Sequence, residues 1–310
     1  MAATEQSYKD LSALVVGLGS IGLRHLDNLR ALGVGRLGAL RRRGAELHRE
    51  VDLSDVALFQ DFDEALGHGW DAVFIANPTA MHLEAALLAA GAGCNLYLEK
   101  PISHSLAGVD ELSGLVERKG LVVEVGCQLR FDPTLEKVKS WLEQGAIGSL
   151  VSANCQVGEW LPGWHPWEDY RASYAARPEL GGGVVLTTIH EIDYLLWLLG
   201  GLQVRAAMGG VSGALEIEAE DHVAALLTAE RETPVLLSMD YLSQPPIRSL
   251  RLIGTQGHIC WDYMVGSAQL WLKGKMQEEK TRQQGWRRND MFLAITRDFL
   301  EAVQNGSQPR

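Results

Sequence analysis

One histidine in the chain stands among residues that suit proton transfer. His190 follows the glycines at 181–183 and is succeeded by Glu191 and Asp193. Histidine is the side chain whose ordinary pKa lies nearest neutrality, so it can exchange a proton with a ligand. Asp193 comes about one helical turn later, where its carboxylate could orient the imidazole. His190 is therefore the first candidate for an acid–base group, and the glycines let a backbone approach a ligand or another strand.

A lysine that ends an apolar run is the second candidate. Lys100 lies in Glu99-Lys100-Pro101, directly after the apolar residues 94–98. Its ammonium group can donate a hydrogen bond to an oxygen that is becoming a carbonyl. A surface ion pair between Lys100 and Glu99 would account for the same residues. Both interpretations stay open on these residues alone.

The residues around His190 do not predict a metal site. His190, Glu191 and Asp193 do not all share one helix face, and no other cluster of histidines and cysteines completes a ligand set. The four cysteines lie far apart without C-x-x-C spacing, which is typical of thiols in a reducing compartment. We therefore expect no metal centre and a cytoplasmic protein.

A glycine-rich motif near the N-terminus indicates the fold that would position these candidates. The apolar residues 13–16 lead into Gly17, Gly19 and Gly22 in the order G-x-G-x-x-G, and a helical pattern follows. In a strand–turn–helix unit these glycines make the tight turn, admit a pyrophosphate and let the helix pack on the strand, respectively. The new helix also points its N–H groups and positive end at phosphates. The motif therefore predicts a dinucleotide-binding unit.

The residues after the second apolar run bear on the choice of dinucleotide. In NAD-binding folds an acidic residue about 20 positions past the glycines binds the adenosine ribose. Here residues 37–40 run into Arg41, Arg42 and Arg43 without an acid. A guanidinium suits a 2′-phosphate, although a solvated basic turn would look the same. NADP is therefore the expected cofactor, with NAD as the alternative.

Strand and helix signals alternate over the first 126 residues and change afterwards. Apolar runs lie at 12–17, 36–40, 56–59, 71–76, 94–98 and 121–126, separated in part by amphipathic stretches at 20–32, 80–92 and 105–118. Such alternation predicts a parallel sheet with helices on both faces. From 203 to 273 strand signals follow one another with turns between them, which predicts an antiparallel sheet. A last helix is expected at about 289–304.

The expected fold class is therefore α/β, in two domains. Residues 1–126 form an NAD(P)-binding Rossmann domain with a parallel sheet, and residues 127–310 form a second α/β domain with an open, mainly antiparallel sheet. The length of 310 residues agrees with two cores. The net charge of −11 argues against nucleic acid as a partner, and no apolar stretch is long enough for a membrane span.

Further candidates follow from the strand ends. Asn77 and Pro78 follow the fourth run, with His82 on the next helix, and ligands bind at the carboxyl edge of a parallel sheet. Trp164 and Tyr170 lie in an irregular stretch, where their rings could stack on a sugar or pack on the sheet. The residues expected to bind the cofactor are Gly17, Gly19, Ser20, Ile21, Gly22, Arg41, Arg42, Asn77, Pro78, His82, Glu99, Lys100 and Gln128.

Taken in order, these motifs resemble the Gfo/Idh/MocA family, which includes glucose–fructose oxidoreductase and inositol dehydrogenase. The resemblance rests on Gly-Leu-Gly-Ser-Ile-Gly-Leu-Arg-His at 17–25, Asn-Pro-Thr with His82, Glu-Lys-Pro at 99–101, Gly-Cys-Gln-Leu-Arg-Phe at 126–131, and Gly-Gly-Gly with His-Glu-Ile-Asp at 190–193. It implies bound NAD(P), hydride transfer at a carbon of a sugar, polyol or related substrate, and a homo-oligomer formed through the second domain's sheet.

The resemblance also implies roles for single residues. Lys100 would hydrogen-bond the reacting oxygen, and His190 would take or give the hydroxyl proton. The residues expected to bind the substrate are Arg130, Trp164, Tyr170, Thr187 and Asp193. Many members carry an aspartate before the histidine, but residues 184–189 contain no acid and Thr187 stands about where it would fall. Relatives usually also continue through a further helix that packs onto the first domain.

Three functions are compatible with these features. The leading one is an NAD(P)-dependent oxidoreductase that acts on CH–OH groups of carbohydrate-like molecules. The absent aspartate keeps open a cofactor-binding sensor or assembly protein without turnover. A redox-neutral, NAD-dependent glycosidase is the third, because some relatives use the nicotinamide for transient oxidation.

Overall fold

The computed structural model describes residues 8–42, 44 and 47–310, and the chain divides into two compact units. The first comprises Met1–Gly126 with Arg288–Arg310, and the second comprises Cys127–Arg287. The division thus falls after Gly126, where the sequence changes its pattern. The second domain was expected to continue to residue 310, but the last 23 residues group with the first unit.

A six-stranded, entirely parallel sheet forms the centre of the first unit. Its strands are β1 (Ser12–Val16), β2 (Arg36–Leu40), β3 (Val56–Phe59), β4 (Ala72–Ile75), β5 (Asn95–Leu98) and β6 (Val123–Val125). Their order is β3-β2-β1-β4-β5-β6. The chain adds strands on one side of β1 and then, from β4 onward, on the other side, so the strand order reverses between β1 and β4. Ligands bind at such a reversal, outside the carboxyl ends of the strands. The predicted Rossmann fold is confirmed.

Four helices connect these strands: α1 (Ser20–Ala31), α2 (Phe62–Gly67), α3 (His82–Gly91) and α4 (Val109–Lys119). The central strands are apolar along their whole length because helices cover both faces of the sheet. Leu14, Val73 and Leu96 are fully buried in one core cluster with residues of α3 such as Ala89. This double burial is why the strands are visible in the sequence as short apolar runs.

The second unit is built on an eight-stranded sheet. Its strands are β7 (Leu150–Gly158), β8 (Gln203–Gly210), β9 (His222–Ala229), β10 (Thr233–Asp240), β11 (Ile247–Gly254), β12 (Gly257–Asp262), β13 (Ser267–Leu272) and β14 (Lys275–Thr281). Their order is β14-β13-β12-β11-β7-β10-β9-β8, and every pair is antiparallel except β7 with β10. The expected open, mainly antiparallel sheet is confirmed. β14 was not anticipated, because its charged residues are almost all exposed and show no alternation.

Helices lie on one face of this sheet: α5 (Pro133–Glu143), α6 (Val184–Thr187) and α7 (His190–Leu199). Trp141 of α5, Tyr194 of α7 and Trp261 of β12 are all fully buried. Along β10, Val235 and Leu237 are buried whereas Leu236 between them is half exposed. This alternation is what a sheet with one covered and one open face requires.

The chain returns to the first unit through α8 (Asn289–Asn305). The buried face of α8 includes Phe292 and Phe299, and Phe299 meets Phe74 and Tyr97 edge-on. An amphipathic pattern shows that a helix has a buried face, but not which core that face joins. The sequence pattern therefore could not show that α8 packs onto the first unit.

Within the described parts of the chain, no single helix is long and apolar enough to cross a membrane. The two helical segments Pro178–Thr187 and His190–Leu199 reach that length and composition only together, and they are bent by 48°.

Candidate active site

The turn after β1 contains three glycines of the motif. The fold requires glycine at two of these positions but not at the third. Gly17 has φ +92°, and a Cβ there would lie 3.0 Å from the Ala76 carbonyl oxygen. A Cβ on Gly22 would lie 1.8 Å from the Gly17 oxygen. At Gly19 a Cβ would meet nothing within 4 Å. Gly19 therefore borders open space, whereas Gly17 and Gly22 allow close packing of backbone.

The start of α1 is suited to an anion. Asp61 caps α2 and Asp132 caps α5, each by accepting hydrogen bonds from backbone N–H groups of the first turn. At α1 the capping position is Gly19, with no side-chain cap among the described residues and no acid in the first turn. The N–H groups and the positive end of α1 thus lie beside the open space, where Ser20 and Ile21 begin the helix. A pyrophosphate fits this arrangement.

Arg41 and Arg42 lie next to this turn. The Leu40 oxygen accepts a hydrogen bond from the Gly17 N–H at 2.9 Å, and the Arg41 N–H donates to the Phe59 oxygen at 3.1 Å. The side chain of Arg42 is exposed and that of Arg41 is half-buried. Arg43 lies outside the described residues. Two guanidinium groups therefore follow the strand whose end meets the glycine turn.

His82 joins the turns that follow β4 and β5. Its Nε2 lies 2.8 Å from the Asn77 carbonyl oxygen and its Nδ1 lies 2.7 Å from the Pro101 carbonyl oxygen. A neutral ring donates to one of these oxygens and a protonated ring to both. Burial lowers the pKa of His82, and the two carbonyl groups oppose that change. His82 thus holds Asn77 and Pro78 against the segment that carries Lys100.

Glu99, the residue before Lys100, is hydrogen-bonded to α1. The Oε1 of Glu99 lies 2.8 Å from Nε2 of His25, which is fully buried on α1. Burial raises the pKa of Glu99, but the hydrogen bond and charge of His25 outweigh it and the pKa lies below its usual range. Glu99 is itself buried, and the charge of Lys100 also contributes to lowering its pKa. His25 is the last residue of the motif at 17–25, and the sequence did not predict that it would be the partner of Glu99.

In the second unit, the short turn Gln128–Phe131 docks on the first turn of α7. The Nε2 of Gln128 lies 3.1 Å from Nε2 of His190. Arg130 binds Asp193 with two hydrogen bonds, one of them 3.0 Å from Nε to Oδ2. Both oxygens of Asp193 thus accept hydrogen bonds from Arg130, and the side-chain amide of Gln128 faces the imidazole.

Glu191, which lies between His190 and Asp193, anchors α7 to the sheet. The Nε of Arg248, on β11, donates to Oε1 of Glu191 at 2.8 Å, and its Nη2 lies 3.4 Å from Oε1 of Glu159. Burial raises the pKa of Glu191, and Arg248 opposes the rise. Sequence reasoning missed Arg248 and Glu159. The signal in the sequence was the alternation along β11, which places Arg248 on the same face as the buried Leu250 and Leu252.

Thr187 belongs to a buried polar cluster. Its hydroxyl donates to the Gly183 oxygen at 2.8 Å and contacts the Tyr241 hydroxyl. Trp164 meets Tyr241 edge-on at 5.4 Å, and its buried Nε1 has no hydrogen-bond partner among the described residues. The structure therefore brings Thr187 and Trp164 together through Tyr241, a residue that the sequence did not single out.

The glycine run and Tyr170 have structural partners. A Cβ on Gly182 would lie 2.3 Å from the Tyr174 oxygen, and one on Gly183 would lie 2.1 Å from the Glu220 carboxylate. These glycines therefore let the chain approach protein groups. Tyr170 is half-buried and its hydroxyl donates a hydrogen bond to the Leu215 oxygen at 2.8 Å.

Among the described residues, no group of three or more histidines, cysteines or acids could hold a metal ion.

Two family models match the chain. Residues 11–127 match an oxidoreductase family with an NAD-binding Rossmann fold, GFO_IDH_MocA. Residues 135–260 match the GFO/IDH/MocA C-terminal domain. The two matched regions lie in order along the chain and correspond to the parallel sheet and to much of the eight-stranded sheet. Together they account for most of the sequence.

Similar proteins include two inositol dehydrogenases. Myo-inositol 2-dehydrogenase of Thermotoga maritima is 28% identical over 190 residues, which are 60% of this chain and 54% of that protein. Scyllo-inositol 2-dehydrogenase (NAD(+)) of Bacillus subtilis is 30% identical over 195 residues, 60% of this chain and 53% of that protein. The matched region thus spans about half the length of these relatives.

A solved structure shares the fold over almost the whole chain. Levoglucosan dehydrogenase in complex with NADH superposes with a TM-score of 0.84 at 18% sequence identity, covering 96% of this chain and 91% of that one. At this level of identity the likeness concerns the arrangement of strands and helices.

Proposed function

Because the chain belongs to the Gfo/Idh/MocA family of oxidoreductases, we propose that it transfers a hydride between NADP(H) and a secondary alcohol or ketone of a sugar, polyol or sugar derivative. The observation that carries the proposal is the open space at Gly19 beside the uncapped start of α1. Two neighbouring glycines cannot accept a Cβ, whereas this one keeps its surroundings clear for a ligand. The relatives named inositol dehydrogenases point to a polyol-like substrate.

Lys100 and His190 carry the proton chemistry in this proposal. The nicotinamide, when bound, takes up or gives back the hydride. The ammonium group of Lys100 donates a hydrogen bond to the reacting oxygen and stabilises it as it becomes a carbonyl. His190 accepts the hydroxyl proton in oxidation and returns it in reduction. The His25–Glu99 pair and His82 hold the segment from which Lys100 projects.

The remaining site candidates are assigned to the substrate. Arg130 and Asp193 form a fixed charged pair beside His190, and either partner can also hydrogen-bond hydroxyl groups of a sugar. Trp164, with its buried and unsatisfied Nε1, suits a ligand oxygen. Thr187 and Tyr170 support this region through Tyr241 and the Leu215 backbone. We propose that these five residues form the substrate side of the site.

The cofactor is proposed to be NADP rather than NAD. Arg41 and Arg42 follow β2 at the point where its last carbonyl group meets the glycine turn. Guanidinium groups at this edge favour a 2′-phosphate. The test is a titration of the purified chain with NADPH and with NADH. We expect tighter binding of NADPH, and replacement of both arginines by serine should abolish the preference. Tighter binding of NADH would contradict the assignment of these two arginines.

The experiment that tests the proposed reaction is a screen of sugars and keto-sugars for a change in nicotinamide absorbance. Lys100→Ala and His190→Ala are each expected to lose about 10²- to 10⁴-fold in turnover, because each removes a group that stabilises or protonates the reacting oxygen. Cofactor binding to His190→Ala should be retained. Turnover that is unchanged in both variants would overturn the roles given to them.

Two wider properties belong to the same proposal. The open face of the eight-stranded sheet presents Leu226 and Leu236, which are register partners, and we propose that a second copy of the chain covers it.

Cys94 and Cys155 are buried thiols without a disulfide. Burial raises the pKa of both thiols and makes them unreactive, which suits a reducing compartment such as the cytoplasm.

A further inference from the structure

The side-chain amide of Gln128 contacts the imidazole of His190. Both side chains are buried, with 3% and 5% of their surfaces exposed, and the amide nitrogen lies 3.1 Å from the ring Nε2. An amide nitrogen can only donate, so the ring nitrogen that it faces carries a lone pair. In this geometry the proton of a neutral His190 is on Nδ1. A protonated ring would place two donors face to face.

The other end of the same amide is unsatisfied. Oε1 of Gln128 is buried and has no hydrogen-bond partner among the described residues. A half-turn about the last side-chain bond exchanges Oε1 with Nε2 and breaks no hydrogen bond other than the one to His190. After this turn the carbonyl oxygen faces the ring and accepts an N–H from its Nε2. In either orientation the amide keeps one hydrogen bond to the imidazole, and the orientation in the structure is the one with the NH₂ group toward the ring.

The charged groups nearby are already paired. On the same turn as Gln128, Arg130 is bound to Asp193, and Glu191, the residue after His190, shares Arg248 with Glu159. Each cluster places opposite charges in contact, so their fields on the imidazole partly cancel. The neutral amide in direct contact with the ring can act as donor or acceptor and therefore biases the tautomer of His190.

We propose that Gln128 is a positioning residue that selects the tautomer of His190 by turning its amide. With the NH₂ group toward the ring, the proton lies on Nδ1 and the lone pair on Nε2 is occupied by Gln128. With the carbonyl toward the ring, the proton lies on Nε2 and Nδ1 carries the lone pair. Only the second state lets Nδ1 accept a substrate proton, and the resulting imidazolium keeps its bond to the carbonyl oxygen.

The inference rests on the proposed function only for calling His190 the acid–base group. The tautomer itself is measurable without turnover. We would label histidine with ¹⁵N in the full chain and identify the His190 ring, among the nine histidines, by its loss in His190→Asn. The unmodified chain should show mainly the Nδ1–H form when the ring is neutral. Gln128→Met, which is apolar and of similar length, should give a mixture of tautomers.

Gln128→Glu provides the opposite change. Its carboxylate can only accept, so it should hold the proton on Nε2 and raise the pKa of His190 by about 1 to 3 pH units. The acid limb of kcat/KM should move upward by the same amount, if the chain turns over its substrate. Gln144→Glu is the matched control, because Gln144 is exposed at the end of α5 and binds Ser140.

The outcomes separate the two proposals. Altered tautomers and titration in the Gln128 variants without any dehydrogenase activity would support this inference and contradict the proposed function. Identical tautomer populations and titration midpoints in the unmodified chain, Gln128→Met and Gln128→Glu would overturn the inference, whatever the activity. Gln128→Asn, which keeps both amide atoms but withdraws them from the ring, should resemble Gln128→Met rather than the unmodified chain.

Discussion

At the scale of single residues, identical amino acids in one motif have different tasks. Gly19 and Gly22 occupy neighbouring places in G-x-G-x-x-G, yet a Cβ would meet nothing at the first and the Gly17 oxygen at the second. Gly19 has φ −72°, which alanine adopts without strain. The requirement for glycine at 19 is therefore a matter of the ligand, and at 22 a matter of the fold.

This difference predicts two separable phenotypes. Gly19→Ala should fold normally and bind NADPH about tenfold or more weakly, because its methyl group projects into the space beside the start of α1. Gly22→Ala should lower the free energy of unfolding by about 1–3 kcal/mol, since the backbone around Gly17 must move. Thermal melting and a fluorescence titration of each variant measure the two effects. Normal NADPH affinity in Gly19→Ala would argue against this placement of the cofactor.

Residue types alone suggest candidate groups for the chemistry, but not the partners that the fold gives to the residues around them. Lys100 and His190 could be chosen because their chemistry depends on local identity. That Asp193 binds Arg130 could not be foreseen, since the two residues are 63 positions apart and the contact depends on how the Gln128–Phe131 turn docks. Glu99 with His25, 74 positions apart, is a second contact of this kind.

At the scale of elements, α7 is held at its first turn by ionic and polar contacts as well as by packing. Arg248→Met should destabilise the second unit by about 3–5 kcal/mol, because it leaves Glu191 buried without its cation. The double variant Arg248→Met/Glu191→Leu should regain most of this loss. Hydrogen exchange of α7 and β11 in denaturant reports on the unit directly. Equal destabilisation in the single and double variants would show that the ion pair is not the cause.

The link between the turns after β4 and β5 predicts a pH dependence. The pKa of His82 lies below the 6.5 of an exposed histidine because the ring is buried, so the folded chain favours the neutral form. The unfolded chain takes up the proton first as the pH falls below 6.5, and the first unit should therefore lose stability in this range.

His82→Gln is the variant that isolates this contribution. It should flatten the dependence of the melting temperature on pH just below 6.5. Glu99 acts at lower pH: its pKa is lowered in the fold, so its contribution is present above its ordinary value of 4.5 and is lost below it. A slope that persists unchanged in His82→Gln would assign the pH dependence to other groups.

At the scale of the whole molecule, the sequence predicted elements better than their assembly. The parallel sheet could be predicted because strands buried on both faces are apolar throughout, as in β1 and β4. β14 could not, since Lys275–Thr281 is an edge strand exposed to water with no alternating pattern. The helix at 289–305 was foreseen, but its membership of the first unit depends on Phe299 meeting Phe74 and Tyr97.

The open sheet face predicts self-association. Leu226, Leu236 and Met208 are 39%, 54% and 81% exposed, and the register of β8, β9 and β10 places them on one face. Apolar side chains grouped in this way mark an interaction surface. Leu236→Glu should convert an oligomer into monomers in sedimentation velocity. Leu106→Glu is the control, because Leu106 is 88% exposed in the first unit. A monomeric unmodified chain would rule out this interface.

The measurement that tests the central claim most directly follows deuterium from the nicotinamide to the product. NADPH deuterated at the transferable C4 position is supplied with the keto-sugars of the screen, and the products are examined by mass spectrometry. We predict stoichiometric transfer of deuterium to one carbon of the product, with matching loss of reduced cofactor, and loss of transfer in Lys100→Ala and His190→Ala. Product without deuterium, or release of product with no net consumption of NADPH, would contradict the assignment as a dehydrogenase.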